Sequence, residues 1–195
     1  LSQHIGTPAV PVVSVGDRVR AGQKLAEAGG FVSAPIYSAF SGTVRALEPR
    51  TAAGGETVPC IVLETDAETE WIDPRFDPAT SDVFNASSVA AYMASGAPEH
   101  LTAEDIRAAV REAGVVGLGG AGFPTSVKLT PKNPDAIDRL IVNGAECEPY
   151  LTSDHRLMLE RGEALVAGCR LLLRLFPGAV CVLAVENNKP DAIAH

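Results

Sequence analysis

The sequence predicts an α/β protein joined to a small all-β unit, and three observations carry the prediction. Residues 4–66 alternate short apolar runs with glycine-containing turns, and residues 140–185 place two apolar runs on either side of a long helical pattern. Between them lies Gly117-Leu118-Gly119-Gly120-Ala121-Gly122-Phe123-Pro124-Thr125-Ser126-Val127-Lys128, too rich in glycine for either regular structure. Alternation with a period of two reads as half-buried strands, and two apolar runs around a helix read as a parallel β-α-β unit.

Composition sets the outer bounds. The chain has 195 residues, 46% hydrophobic and 21% charged, enough for one large domain or two small ones. We expect three segments: a β domain over 1–66, a linker over 67–100 and an α/β domain over 101–195. No apolar run reaches the roughly 20 residues a membrane-spanning helix requires. The formal charge of −8 argues against nucleic acid as a partner, so an anionic ligand must be held by local donors. Cys60, Cys147, Cys169 and Cys181 form no C-x-x-C pair, which predicts reduced thiols and no metal or cluster ligands in this stretch. The start at Leu1 and the helix-like Pro190-Asp191-Ala192-Ile193-Ala194 at the end read as a fragment of a longer protein.

In the β segment, Val12–Val15, Arg18–Arg20, Thr43–Leu47 and Cys60–Leu63 are the expected strands, with turns at Gly16-Asp17, Gly29-Gly30, Ser41-Gly42 and Gly54-Gly55. The linker is rich in Pro, Ser and Ala, with a helical turn expected around Val89–Met93; Trp71 reads as a partly buried aromatic at a domain edge. A helix follows, with Thr102 as N-cap, Asp105 as the capping-box acid and Leu101 stapled to Ile106. Ile106, Ala109, Val110 and Ala113 form its apolar face, and it ends near Gly114.

The glycine stretch satisfies G-x-G-x-x-G, but a dinucleotide fingerprint needs a strand leading into it. Val115-Val116 is too short for one, and Pro124 follows the last glycine at once. What remains is a loop whose backbone N–H groups can face a phosphate, with Lys128 as a nearby cation. Beyond it, Leu140–Val142 and Ala179–Val185 are expected strands around a helical region from Asp154 to Phe176 that Gly162 splits. Leu165, Val166, Cys169, Leu172, Leu173 and Phe176 form the inward face of its longer part.

Both strands run into polar residues: Asn143-Gly144-Ala145-Glu146-Cys147-Glu148-Pro149 after the first and Glu186-Asn187-Asn188 after the second. Parallel sheets bind ligands at the carboxyl ends of their strands, so the two ends and the glycine loop suggest one site. Glu146 and Glu148, two residues apart, share a side if the backbone stays extended, and suit hydroxyl and amide donors rather than phosphate. A solvated acidic loop, a surface Lys128 and a core Phe123 are the plainer alternatives, open at this point. Cys147 reads as an inert thiol, and His4, His100, His155 and His195 have no ligand-like spacing.

Two resemblances add to this reading. Val15-Gly16-Asp17-Arg18-Val19, Gly22-Gln23-Lys24-Leu25, Ala34-Pro35 and Ser41-Gly42-Thr43-Val44 resemble the barrel-sandwich hybrid of biotinyl and lipoyl carriers. A carrier presents a lysine on the hairpin that here reads Glu27-Ala28-Gly29-Gly30-Phe31-Val32-Ser33, so the carrier fold is expected without the carrier function, as a docking or scaffolding module. The glycine loop with Lys128, and the Asn143–Pro149 segment, resemble the flavin and NADH site of the complex I flavoprotein family. With the carrier-like domain and Val185-Glu186-Asn187-Asn188-Lys189-Pro190, the whole chain is similar to the C-subunit family of Rnf ion-translocating electron-transport complexes.

That resemblance implies a Rossmann-like α/β domain that binds FMN and exchanges hydride with NAD(H), passing electrons to 4Fe-4S clusters held in a later part of the protein. It implies FMN contacts at Gly117, Gly119, Gly120, Lys128, Asn143 and Glu146, with Phe123, Glu148 and Glu186 on the NADH side. No catalytic side chain and no metal ligand of this fragment is implied. The implied partners are the other subunits of a membrane complex, NADH and a ferredoxin-type electron donor or acceptor. The implied place is the cytoplasmic side of the bacterial inner membrane, held there by partner subunits. Two positions depart from the complex I pattern: Leu118 stands where it has arginine, and Ala145 where it has aspartate. A cobalamin reductase of bacterial microcompartments shares the flavin domain but not the carrier-like start, and a non-catalytic assembly module is the alternative of a different class.

Overall fold

A computed structural model describes residues 1–52, 54–73 and 100–195. The expected linker, including the turn around Val89–Met93, lies mostly outside the described residues. The chain divides into two compact units, and the division does not follow chain order: Arg107–Thr130 belongs with the N-terminal β segment, and Pro131–His195 lies in the other unit.

The first unit contains two three-stranded antiparallel sheets. One has the order β1 (Val10–Pro11), β3 (Lys24–Glu27), β4 (Ile36–Tyr37); the other has β2 (Arg18–Val19), β5 (Gly42–Thr51), β6 (Thr57–Thr65). Val13, Val19, Leu25 and Val44 form one buried cluster, and Ala9, Ala26 and Ile36 form a second. Ile61 packs against both, which ties the two sheets into one sandwich. Val19 and Val44 are fully buried, and each contributes about 1.5–3 kcal/mol by removing apolar surface from water.

The strand expected at Val12–Val15 is displaced. Pairing occurs two residues earlier, at Val10–Pro11 against Ala26 and Glu27, while Val12 and Val15 are exposed. Alternation marked the apolar content correctly, but Val13 enters the core from irregular backbone. Trp71 is half-buried and pairs with Ala21 in an isolated parallel bridge.

Helix α1 (Ala103–Glu112) begins with the predicted capping box. The Thr102 hydroxyl accepts from the Asp105 N–H at 3.1 Å, and the Asp105 carboxylate accepts from the Thr102 N–H at 2.8 Å. These bonds satisfy backbone groups that the first helical turn leaves open. Ile106 is buried and Val110 half-buried, but Ala109 and Ala113 are exposed, so the apolar face is narrower than the periodicity implies.

In the second unit, β7 (Arg139–Gly144) and β8 (Val180–Val185) pair in parallel, with Asn143 opposite Ala184 and Gly144 opposite Val185. Helices α3 (Ser153–Glu160) and α4 (Gly162–Leu173) form the crossover that a parallel pair requires, and α5 (Pro190–Ala194) follows β8. The helical region breaks at Arg161-Gly162, as predicted. Of its expected inward face, Phe176 is buried but Val166 is exposed; Ala167 and Leu175 are buried in addition.

Candidate functional site

The glycine loop belongs to the first unit. An antiparallel bridge joins Val116 to Pro124, the Gly117 N–H donates to the Phe123 carbonyl at 2.9 Å, and the Thr125 N–H donates to Val115 at 2.9 Å. The neck is thus closed and residues 117–123 form a compact loop. The N–H groups of Leu118, Gly119 and Gly120 donate to no other described residue. A Cβ placed on Gly119 or Gly120 would meet nothing within 4 Å, so the backbone there faces open space.

Gly122 differs from these two. Its φ is +60°, and a Cβ would lie 2.8 Å from the Gln3 carbonyl oxygen, so it is held against the N-terminal segment. Lys128 sits on the short helix α2 (Thr125–Lys128), which returns it to the loop. Its Nζ lies 5.7 Å from the centroid of the Phe123 ring and 3.8 Å from the position a Gly117 Cβ would take. Lys128, Phe123 and Gly117 therefore meet, and Leu118 stands fully in solvent.

The second group of predicted residues lies at the carboxyl ends of β7 and β8, brought side by side by the parallel register. The Asn143 Oδ1 accepts from the Ala145 N–H at 3.1 Å and turns the chain as it leaves β7. Gly144 is tightly packed: a Cβ would meet the Met158 sulfur at 3.0 Å and the Ala184 carbonyl at 3.1 Å, so a side chain there requires its neighbours to give way by a few tenths of an ångström.

Glu146 and Glu148 do not share a side. Glu146 is buried and Glu148 is exposed, because the backbone leaves the extended state after Gly144 and bends at Glu148. Glu146 Oε1 accepts from the Ser153 hydroxyl and the Asp154 N–H, both at 2.9 Å, and Oε2 accepts from the His155 N–H at 3.3 Å. The carboxylate thus caps α3, a job that no side chain at Thr152 performs. The Asp154 N–H has the largest influence and holds the carboxyl below the usual carboxylate range, against the opposing effect of burial. The Ser153 hydroxyl, the His155 N–H and the charge of Lys189 add to the lowering. Helix donors therefore favour the ionised form of Glu146. Glu186 is half-buried in the turn that the Lys189 N–H closes on its carbonyl at 3.1 Å.

Sequence reasoning missed several features. Tyr150 has φ of 66° with its ring fully exposed, the only non-glycine positive φ among the described residues. Cys169 on α4 and Cys181 on β8 are neighbours; burial, then the hydrogen bond to Cys181, pushes the Cys169 thiol up. All four cysteines are free thiols. His155 Nε2 meets Asp191 Oδ1 at 2.9 Å, linking α3 to α5. No group of three or more His, Cys, Asp or Glu among the described residues could hold a metal ion.

Lys24 is not available as a carrier lysine. It lies in β3 and pairs with Glu27 at 3.0 Å and with Glu112 at the end of α1.

Residues 1–68 match the family described as the RnfC barrel sandwich hybrid domain, and residues 110–195 match the Nuo51 FMN-binding domain. The chain is 41% identical, over 99% of its length, to the C subunit of the Na(+)-translocating ferredoxin:NAD(+) oxidoreductase complex of Acetobacterium woodii, and covers 40% of that protein. It is 38% identical over 98% of its length to the proton-translocating counterpart of Clostridium ljungdahlii, covering 38% of it. It is 40% identical over its full length to the C subunit of the ion-translocating oxidoreductase complex of Pseudomonas aeruginosa, covering 23%. The chain thus spans less than half of each of these relatives. Its fold joins a barrel-sandwich hybrid to a Rossmann-like flavin domain, as the sequence predicts.

Proposed function

We propose that this chain is the FMN- and NAD(H)-binding part of the C subunit of an ion-translocating ferredoxin:NAD oxidoreductase complex. The observation that carries the reading is the closed glycine loop, whose Leu118, Gly119 and Gly120 N–H groups have no partner among the described residues, with open space around Gly119 and Gly120 and the Lys128 ammonium beside Gly117. A chain of net charge −8 keeps this cluster of donors and one cation where a phosphate would be recognised. Gly117, Gly119, Gly120 and Lys128 are assigned the phosphate end of FMN. Asn143 and Glu146 are assigned its ribityl and ring side, and Phe123, Glu148 and Glu186 the nicotinamide nucleotide. What supports giving both groups to one cofactor is the flavin-domain match, which runs through residues 110–195.

Bound flavin supplies the chemistry of accepting two electrons as hydride and releasing them singly. The chain's own work is positional. The loop N–H groups and Lys128 would hold the phosphate. Glu146 keeps the turn after β7 in place through its three bonds to α3, so that Asn143 and Glu148 are presented from a fixed backbone. Glu148 and Glu186 offer acceptors to amide and hydroxyl donors of the nucleotide. Iron–sulfur clusters, assigned to the rest of the protein, would be the one-electron acceptors. No helix among the described residues is long and apolar enough to cross a membrane, and attachment at the cytoplasmic face is assigned to partner subunits.

The test is anaerobic addition of NADH to the FMN-loaded chain. Loss of the oxidised flavin's yellow absorbance is expected; a chain that holds no FMN, or bound FMN that NADH leaves oxidised, contradicts the proposal.

A further inference from the structure

The carrier-like hairpin that lacks its lysine has another occupant. The Thr7 N–H donates to the Val32 carbonyl at 2.9 Å, and a Cβ on Gly29 would lie 2.1 Å from the Pro8 carbonyl oxygen. The N-terminal arm therefore lies directly on residues 29–34. His4 is buried in that seat. Its Nε2 is 3.2 Å from the Ala34 N–H, which can only donate, so Nε2 accepts; Nδ1 then carries the proton and donates to the Ile5 carbonyl at 3.1 Å.

The arm in turn holds the glycine loop. The Ile5 N–H donates to the Ala121 carbonyl at 3.0 Å, and Gly122 packs where a Cβ would lie 2.8 Å from the Gln3 oxygen and 3.0 Å from His4 Cα. The approach to the loop is fixed on the same unit. Tyr37 donates its hydroxyl to the Glu112 carbonyl, Lys24 pairs with the Glu112 carboxylate, and a Cβ on Gly114 would lie 2.8 Å from the Pro35 oxygen.

We propose that the barrel-sandwich hybrid serves as the mount of the phosphate loop, and that His4 is the positioning residue that locks the N-terminal arm against it. The proposal rests on the assignment of residues 117–128 to the FMN phosphate. A loop with free N–H groups gains selectivity for phosphate only if those groups are held convergent before binding, and here the restraint comes from residues 3–5, more than a hundred positions earlier in the chain.

The experiment compares the whole chain with its His4→Leu, His4→Gln and Ile5→Pro variants, titrated with FMN and with riboflavin, which lacks the phosphate. Amide hydrogen exchange is followed over residues 117–123. His4→Leu strands the buried Ala34 N–H and is expected to weaken FMN about tenfold, with riboflavin affinity unchanged and faster exchange across the loop. His4→Gln keeps an acceptor and is expected to stay within about threefold of the parent. Ile5→Pro removes the donor to Ala121 and restrains the His4–Ile5 backbone, with the His4 side chain kept, and covers the case in which His4→Leu does not fold. FMN affinity unchanged in both disruptive variants, or an equal loss for FMN and riboflavin, overturns the proposal. If the parent chain binds no FMN, the flavin assignment fails, and exchange alone decides the mount: faster exchange in the variants upholds it, and unchanged exchange overturns it.

Discussion

The glycine loop and the turn after β7 are both polar, glycine-containing segments assigned to a cofactor, yet they use their polar groups in opposite ways. The loop closes its neck with backbone bonds and leaves the N–H groups of 118–120 without a partner among the described residues. The turn commits its buried acid, Glu146, to three donors of the protein itself. Free donors suit a ligand; a carboxylate that already accepts three bonds from the protein chiefly holds backbone in place and keeps one acceptor position for a ligand. The two kinds of glycine follow the same division. Gly119 borders open space, while Gly144 is packed against Met158 and Ala184.

The largest expected effect breaks the loop without touching the fold. Gly119→Val places a side chain where a phosphate would sit, and FMN affinity falls about a hundredfold or more. Nothing lies within 4 Å of the new Cβ, so stability to urea changes by no more than about 0.5 kcal/mol. Gly144→Ala is the converse: crowding against the Met158 sulfur and the Ala184 carbonyl lowers urea stability by about 1–3 kcal/mol. If Gly119→Val unfolds the chain, or Gly144→Ala leaves it intact, the division between ligand-facing and structural glycines is wrong.

The turn carries its own pH signature. The native carboxyl of Glu146 titrates below its ordinary value of about 4.5, so its contribution is fully present above that value. It is lost as pH falls through the depressed native range, because the unfolded chain takes up the proton first. Asp105 is lowered by the Thr102 hydroxyl and backbone, and Asp191 by His155, so both add to the same acid loss. The urea midpoint should fall on acidification from neutral pH to below 4.5, and Glu146→Gln should make that fall shallower. An unchanged slope removes the capping role. The smallest effect is expected at Leu118, which stands fully in solvent. Leu118→Arg adds a cation beside the free N–H groups and should tighten FMN by about threefold, with stability within about 0.5 kcal/mol.

What the sequence made legible was local. Thr102 and Asp105 are three residues apart and their capping box is present; the two parallel strands and the break at Gly162 follow from apolar runs and one poor helix former. What it hid depended on distant neighbours. Gly122 reads like the other glycines of its motif until Gln3 and His4 are found against it. Glu146 reads as half of a carboxylate pair until the bend at Glu148 turns it towards α3. The strand expected at Val12–Val15 failed for the same reason: alternation shows which residues are apolar, but hydrogen-bonding partners decide where pairing starts. Ala109 and Ala113 stay exposed because helical periodicity marks a face whether or not anything covers its full width.

The most direct measurement is equilibrium titration of the whole chain and its Lys128→Ala variant with FMN and riboflavin. The parent is expected to prefer FMN, and Lys128→Ala to lose about tenfold or more in FMN affinity while riboflavin binding stays the same. Equal affinity of the parent for the two flavins, or a Lys128→Ala variant that binds FMN as tightly as the parent, contradicts the assignment of the glycine loop to a phosphate.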